Sequence, residues 1–185
     1  MPISTQLYKG KLVHFTAIDP EKDPAIQSTW TKNSGYMRML STNPMRPQSP
    51  IEIKKKLEAI EKECEDENEL YHFQVHRTSD DLLIGFGQIL YISWPNRNAV
   101  VQLGIGDSAN HQQGYGSEIL SMILEIAFSE LNLERMTAFI PEYNLAAKAL
   151  FEKFGFTMEG RRRQAVYRDL RRWDILIYGL TKVIQ

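Results

Sequence analysis

Two stretches of the sequence hold residues whose types and spacing could do chemistry. The first is Val100-Val101-Gln102-Leu103-Gly104-Ile105-Gly106, followed by His111-Gln112-Gln113-Gly114-Tyr115-Gly116-Ser117-Glu118. Glycines at alternate positions let the backbone turn sharply and approach a ligand closely. A helix starting just after them presents unpaired N–H groups and about half a positive charge. Phosphate binding is the natural use of that geometry; a tight turn with no ligand is the plain alternative. No Gly-Lys-Ser/Thr follows and no third glycine completes Gly-x-Gly-x-x-Gly, so neither nucleotide-loop pattern fits. The second stretch runs from Asn144 to Glu152-Lys153-Phe154-Gly155-Phe156. Asn144 reads as a helix N-cap and Gly155 as its stop, with Leu150, Phe151, Phe154 and Phe156 as core.

These stretches need elements to position them. Leu12 to Ile18 alternates loosely and predicts a first strand, and Asp23 to Asn33 a short helix with Ile26 and Trp30 on one face. Pro44, Pro47 and Pro50 make Asn43 to Pro50 a loop. Ile51 to Cys64 repeats Ile53, Leu57 and Ile60 at helical spacing, with charges on the other faces. Tyr71, Phe73 and Val75 then alternate with polar residues, and the runs Leu82 to Trp94 and Ala99 to Ile105 follow after short polar turns. Together they predict an antiparallel meander. A helix from Ser117 to about Leu131, a strand Arg135 to Ile140, a helix Asn144 to Phe154, and strands Gln164 to Arg168 and Trp173 to Leu180 complete the order. The fold class is α/β, with a mixed, mostly antiparallel central sheet and helices on both faces.

Composition excludes several functions. The 185 residues are 43% hydrophobic and 24% charged, with net charge −1, which describes an ordinary globular chain. One domain over residues 1–185 is the expectation at this length. A near-neutral balance offers no long-range field to gather nucleic acid. Met1 to Gly10 lacks a signal-peptide core, and Leu82 to Ile92 is too short and too broken by glycine to span a membrane. The lone Cys64 excludes an intramolecular disulfide and a multi-cysteine zinc site, so a cytoplasmic location with a reduced thiol is expected. His72 and His76 lie in an apparent strand without a carboxylate or cysteine partner pattern, and no metal is expected there. The arginines Arg161, Arg162, Arg163, Arg168, Arg171 and Arg172 read as a solvated strand edge that discourages pairing, and otherwise as a surface for acidic peptide or nucleic acid. The acidic run Glu58 to Glu69 reads as a solvated helix end, and otherwise as a lure for a polyamine or basic peptide.

In their order, the two stretches resemble the GNAT N-acetyltransferase superfamily, in particular the branch with the ribosomal-protein N-terminal acetyltransferases. The family's loop of Gln or Arg, two residues, Gly, one residue, then Gly or Ala is matched by His111-Gln112-Gln113-Gly114-Tyr115-Gly116. The family's later helix ending Glu-Lys-Leu-Gly-Phe is matched by Asn144 to Phe156, and Glu159-Gly160, Asp174 and Tyr178 also fall as in that branch. The resemblance implies acetyl transfer from acetyl-coenzyme A (acetyl-CoA) to a primary amine, on a protein N-terminus or a small molecule. It implies that the backbone N–H groups of Gln113, Gly114, Tyr115, Gly116 and Ser117 hold the pyrophosphate, with His111 beside them. It implies that the pantetheine arm pairs with Leu103, Gly104 and Ile105, where the fourth and fifth strands splay. Asn144 and its helix, including Phe151, would lie along that arm. The expected partner is the small-molecule or peptide amine, with no nucleic acid or membrane; a homodimer is left open.

The departures concern proton transfer. The family's acid Tyr is Phe151, the branch's Ser is Ala147, and the strand carboxylate is Gln102, none of which can move a proton. A lysine-like amine is neutral about once in 2,500 molecules at pH 7, costing about 4.6 kcal/mol, whereas an α-amine costs about 1 kcal/mol. The thiolate, with a pKa around 8.5, leaves without much help. A weakly basic amine is therefore favoured, with Glu142 as a candidate water-linked base. The rival expectation is a catalytically inactive acyl-CoA-binding module.

Overall fold

The computed structural model describes residues 6–66 and 69–182. The first half of the Met1–Gly10 start and positions 67 and 68 of the acidic run lie outside the described residues.

Alternating apolar residues build the sheet, and its strands run β1 (Val13–Thr16), β2 (Tyr71–Arg77), β3 (Leu83–Ser93), β4 (Asn98–Ile105), β5 (Arg135–Pro141), β6 (Thr157–Arg168) and β7 (Arg171–Thr181). Their spatial order is β1-β2-β3-β4-β5-β7-β6. Every neighbouring pair is antiparallel except β4 with β5. The helices are α1 (Asp23–Trp30), α2 (Ser34–Leu40), α3 (Pro50–Asp66), α4 (Tyr115–Glu125) and α5 (Leu145–Lys153). A π-helical turn, Ile126–Glu130, continues α4.

Helices cover both faces. On one, α4 buries Ile119, Leu120 and Ile123 at or near zero exposure. It sits so close that a Cβ on Gly87 would lie 2.7 Å from Ile123 Cδ1. On the other, α1 presses Trp30 onto β4, where a Cβ on Gly106 would fall 1.9 Å from Trp30 Cδ2. A first-turn carboxylate also joins α4 to the sheet edge. Glu118 accepts from the N–H groups of Lys11, Leu12 and Val13 at 2.7–2.9 Å, satisfying donors that β1 would otherwise leave open.

The meander and the helices α3, α4 and α5 lie where their periodicity predicts, within a few residues. Two expectations need correction. The chain between Asn33 and Asn43, for which the sequence pattern predicts no element, carries α2. Asn33 nucleates it by accepting from Tyr36 N at 3.1 Å. Strand β6 begins at Thr157 rather than Gln164. Its first half is exposed and arginine-rich and shows no two-residue alternation, because β6 is the sheet edge. An irregularity between Arg162 and Val166, with Gln164 at φ 52°, splits the strand.

Candidate active site

The parallel pair β4/β5 is short. Its register covers Asn98↔Arg135, Ala99↔Met136 and Val100↔Thr137 and then ends, while β4 stays paired to β3 through Ile105. Gly106 N donates to Ile84 O at 2.9 Å, so the alternate residues Gly104 and Gln102 face β3. By the same alternation Leu103 and Ile105 turn their N–H and C=O groups into the gap. The expected splay is therefore present at the expected residues.

The glycine loop lies at the mouth of this gap. Gly114 caps α4 at φ +86°, and Gln112 before it also has a left-handed φ, 60°. No side chain caps α4. Its first-turn N–H groups are left for water or a ligand. Tyr115 turns its ring into the core, so only its backbone faces the loop. Gly116 lies between β4 and α5, where a Cβ would meet Leu150 and Ile105 at 3.6 and 3.7 Å. His111 folds back, its Nε2 donating to Ile105 O at 3.2 Å, and Gln113 Nε2 donates to Ala109 O at 2.6 Å. Lys153, which no sequence pattern singles out, reaches Ser117 Oγ with its Nζ at 3.2 Å and places a cation at the uncapped helix end. The arrangement can hydrogen-bond an extended arm like an added strand and hold an anion at its end.

Along α5, Asn144 caps the helix by accepting from Ala147 N at 3.1 Å, and its amide donates to Met39 O at 3.3 Å. Phe151 is buried, edge-on to Phe156 at a centroid distance of 4.9 Å. Glu142 is tied to β7: its N–H donates to Asp174 O at 2.9 Å, and its Oε2 accepts from Asp174 N at 3.2 Å.

The face of β2 and β3 opposite α4 borders a cavity of about 200 Å³ beneath α1, α2 and α3, with Trp30, Tyr36, Met37 and Phe86 among its walls. His72 and Gln88 form part of its floor. His72 Nδ1 accepts from Gln88 Nε2 at 2.9 Å, its ring stacks on Phe86, and burial pushes its pKa down to about 4. Its Nε2 is buried without a partner among the described residues. A second cleft of about 320 Å³ adjoins it through Thr31, Met37 and Met45, and carries Lys32, Arg38, Arg46 and Arg168 with Asp169. Arg168 is no free edge charge. It donates to the carbonyls of Arg38 and Ser41 at 2.6 Å and to Tyr143 Oη at 2.7 Å, clamping the chain after α2 to the sheet.

The paired histidines of the sequence separate. The β2–β3 register shifts between Val75 and His76, with the extra residue on β3, while β2 stays in regular register with β1 and sets His76 directly opposite His14. His76 instead joins His14 and Asp81, and ligand atoms of the three lie within 4.8 Å of one another. Asp81 Oδ1 accepts from His14 Nε2 at 3.0 Å. Burial pushes the Cys64 thiol up, away from the thiolate.

Residues 13–157 match the acetyltransferase (GNAT) domain family. The probable N-acetyltransferase YjcK of Bacillus subtilis is 29% identical over 166 residues, covering 86% of this chain and 88% of that protein. Among solved structures, the ribosomal L7/L12 α-N-protein acetyltransferase RimL, in complex with coenzyme A, superposes with TM-score 0.81 at 18% identity, over 93% of this chain and 95% of that one. The spermidine N-acetyltransferase of Vibrio cholerae, in complex with CoA and spermine, gives 0.78 at 19% identity, over 93% and 96%. No helix among the described residues is long and apolar enough to cross a membrane. With a family match over most of its length and a GNAT sheet that opens where the motif requires, the chain belongs to the GNAT acetyltransferases, enzymes that move an acetyl group from acetyl-CoA to an amine.

Proposed function

We propose that residues 1–185 act as one acetyltransferase domain that acetylates the α-amine of a peptide or small molecule of neutral or acidic character, in the cytoplasm. The observation that carries this reading is the open gap after Val100↔Thr137 beside the uncapped start of α4. When bound, acetyl-CoA supplies an activated acetyl group. The N–H groups of Gln113, Gly114, Tyr115, Gly116 and Ser117 hold its pyrophosphate, with Lys153 and His111 alongside. Leu103 and Ile105 hydrogen-bond the arm through the gap, and Gly104 between them pairs with Phe86 of β3. Asn144 borders the arm at the head of α5. Phe151 supports that helix from the core and offers no proton.

The acceptor enters from the face of α1, α2 and α3. Support for an α-amine comes first from proton economy, since no acid–base pair replaces the side chains missing at Phe151, Ala147 and Gln102. It comes also from charge: the adjoining cleft carries four basic residues, of which Arg38 is paired with Asp169 and Arg46 with Glu52, and the surplus positive charge of Lys32 and Arg168 repels a polycation. Glu142 keeps the role of a water-linked base at the end of β5, with one oxygen already engaged by Asp174 N–H.

The test is a calorimetric titration with acetyl-CoA, followed by thiol release with peptides bearing free α-amines and with spermidine. Micromolar binding and turnover with α-amine peptides are expected. A preference for spermidine overturns the acceptor reading, and binding with no thiol release from any amine gives the inactive module instead. Sedimentation of the same sample decides whether the assembly is a homodimer.

A further inference from the structure

Replacement of the family's acid by Phe151 leaves the acetyl-bearing end of the donor without a side-chain hydroxyl from α5. A hydroxyl is nevertheless present, from the opposite face and from another element. A Cβ built on Gly104 would lie 3.2 Å from Tyr36 Oη. Gly104 is the middle residue of the segment Leu103–Ile105, and a Cβ there would leave the sheet toward α2, perpendicular to the N–H groups of its neighbours. Tyr36 is held in place by Trp30, edge-on at 6.2 Å and 73°. Trp30 is itself pinned against Gly106. Tyr36 also walls the cavity that the acceptor would enter. Its hydroxyl has no hydrogen-bond partner among the described residues. Burial pushes its pKa above the ordinary tyrosine range, so it remains a donor at every working pH.

We infer that Tyr36 is a catalytic residue, whose hydroxyl donates a hydrogen bond to the acetyl oxygen from the helix face while Leu103 and Ile105 donate in the plane of the sheet. The inference rests on the proposed course of the donor along β4. In the transfer, the neutral amine's lone pair forms the C–N bond. The C–S pair departs with the thiolate, and the proton shed by nitrogen passes to water. Tyr36 keeps its own proton throughout and acts only on the negative charge gathering on the acetyl oxygen. Gly104 leaves room beside the strand for both the Phe86 ring and the Tyr36 hydroxyl, which a methyl group there would meet at 2.8 and 3.2 Å.

The test uses Tyr36→Phe, which keeps the ring and its packing on Trp30. The kcat should fall about 100-fold, with the acetyl-CoA dissociation constant and the melting temperature unchanged. A readout independent of turnover uses protein labelled with 3-fluorotyrosine. The ¹⁹F signal missing from Tyr36→Phe should shift when acetyl-CoA is added without acceptor, and should stay in place with CoA lacking the acetyl group. A variant whose kcat stays within threefold of the wild type overturns the inference. So does a signal that moves equally for CoA and acetyl-CoA. Failure of the wild type to bind acetyl-CoA at all overturns the proposed function and this assignment with it.

Discussion

The two faces of the sheet are built from different materials. On the α4 side, the proposed donor site is almost wholly backbone: unpaired N–H groups of a splayed strand, an uncapped helix and a left-handed glycine. On the α1–α3 side, the proposed acceptor site is almost wholly side chain: Trp30, Tyr36, Phe86 and His72 around a cavity, and basic residues in the adjoining cleft. Backbone recognition tolerates sequence change because every residue carries the same N–H. Side-chain recognition does not, so one scaffold can keep a fixed donor and change its acceptor.

The comparison is broken most directly at Gly114. Gly114→Glu should abolish acetyl-CoA binding, a loss of more than about 100-fold by calorimetry, because a carboxylate then stands at the proposed phosphate position. Gly114→Asn, which tolerates the left-handed φ of +86°, should keep most of the affinity and so separates charge from strain. Binding by Gly114→Glu within threefold of wild type would remove the donor side of the contrast.

His72 sharpens the acceptor side. Its pKa of about 4 lies below the ordinary histidine value of 6.5. Between those values the unfolded chain takes up a proton that the folded chain refuses. Stability is therefore complete above about pH 6.5 and falls as the pH drops toward 4. Urea melts at pH 7 and 4.5 should show a wild-type loss larger than that of His72→Gln, by on the order of 2 kcal/mol. The opposing contribution of Asp23, whose pKa burial raises, cancels in that difference. Equal pH dependence in the two proteins would mean that His72 is not buried as a neutral ring.

Two further substitutions should separate the sides kinetically. Lys153→Ala should weaken acetyl-CoA binding by about tenfold and flatten its salt dependence, while the acceptor KM stays put. Arg168→Ala releases the chain after α2 and should raise the acceptor KM by about fivefold with donor affinity intact. If either variant moved both constants together, the two sites would not be independent.

The smallest effect is expected at the β6–β7 turn, where Asp169 and Leu170 both have left-handed φ, 53° and 57°. Leu170 is 90% exposed and has no packing to lose. Leu170→Gly should stabilise the protein by about 0.5–1 kcal/mol in a thermal melt, since such turns favour glycine.

Much of the donor side was legible before any coordinates. Glycine spacing, a strand ahead of it and a long apolar helix behind it are local patterns, and the loop, β4 and α4 follow from them. Lys153 beside Ser117 was not legible, because a helix ending elsewhere in the chain delivers it. The acceptor side was read least well. Helix α2 hides between Asn33 and a proline-rich loop, and its seven residues give too short a window for periodicity to register. The arginine run was read as solvated edge, which suits the exposed Arg161, Arg162 and Arg163. Arg168 differs because three carbonyls from the chain around α2 converge on it.

Local sequence pattern carried the α/β order, the antiparallel meander and the glycine loop ahead of α4. These depend on residues within a turn or two of one another, where periodicity and glycine placement are decisive. The tertiary fold decided that Glu118 closes the edge of β1, that the β1–β2 register sets His76 opposite His14, and that Tyr36 stands over Gly104. Each of these joins atoms from separate elements, and their meeting is fixed by the packing of whole helices on a twisted sheet, which no local pattern encodes.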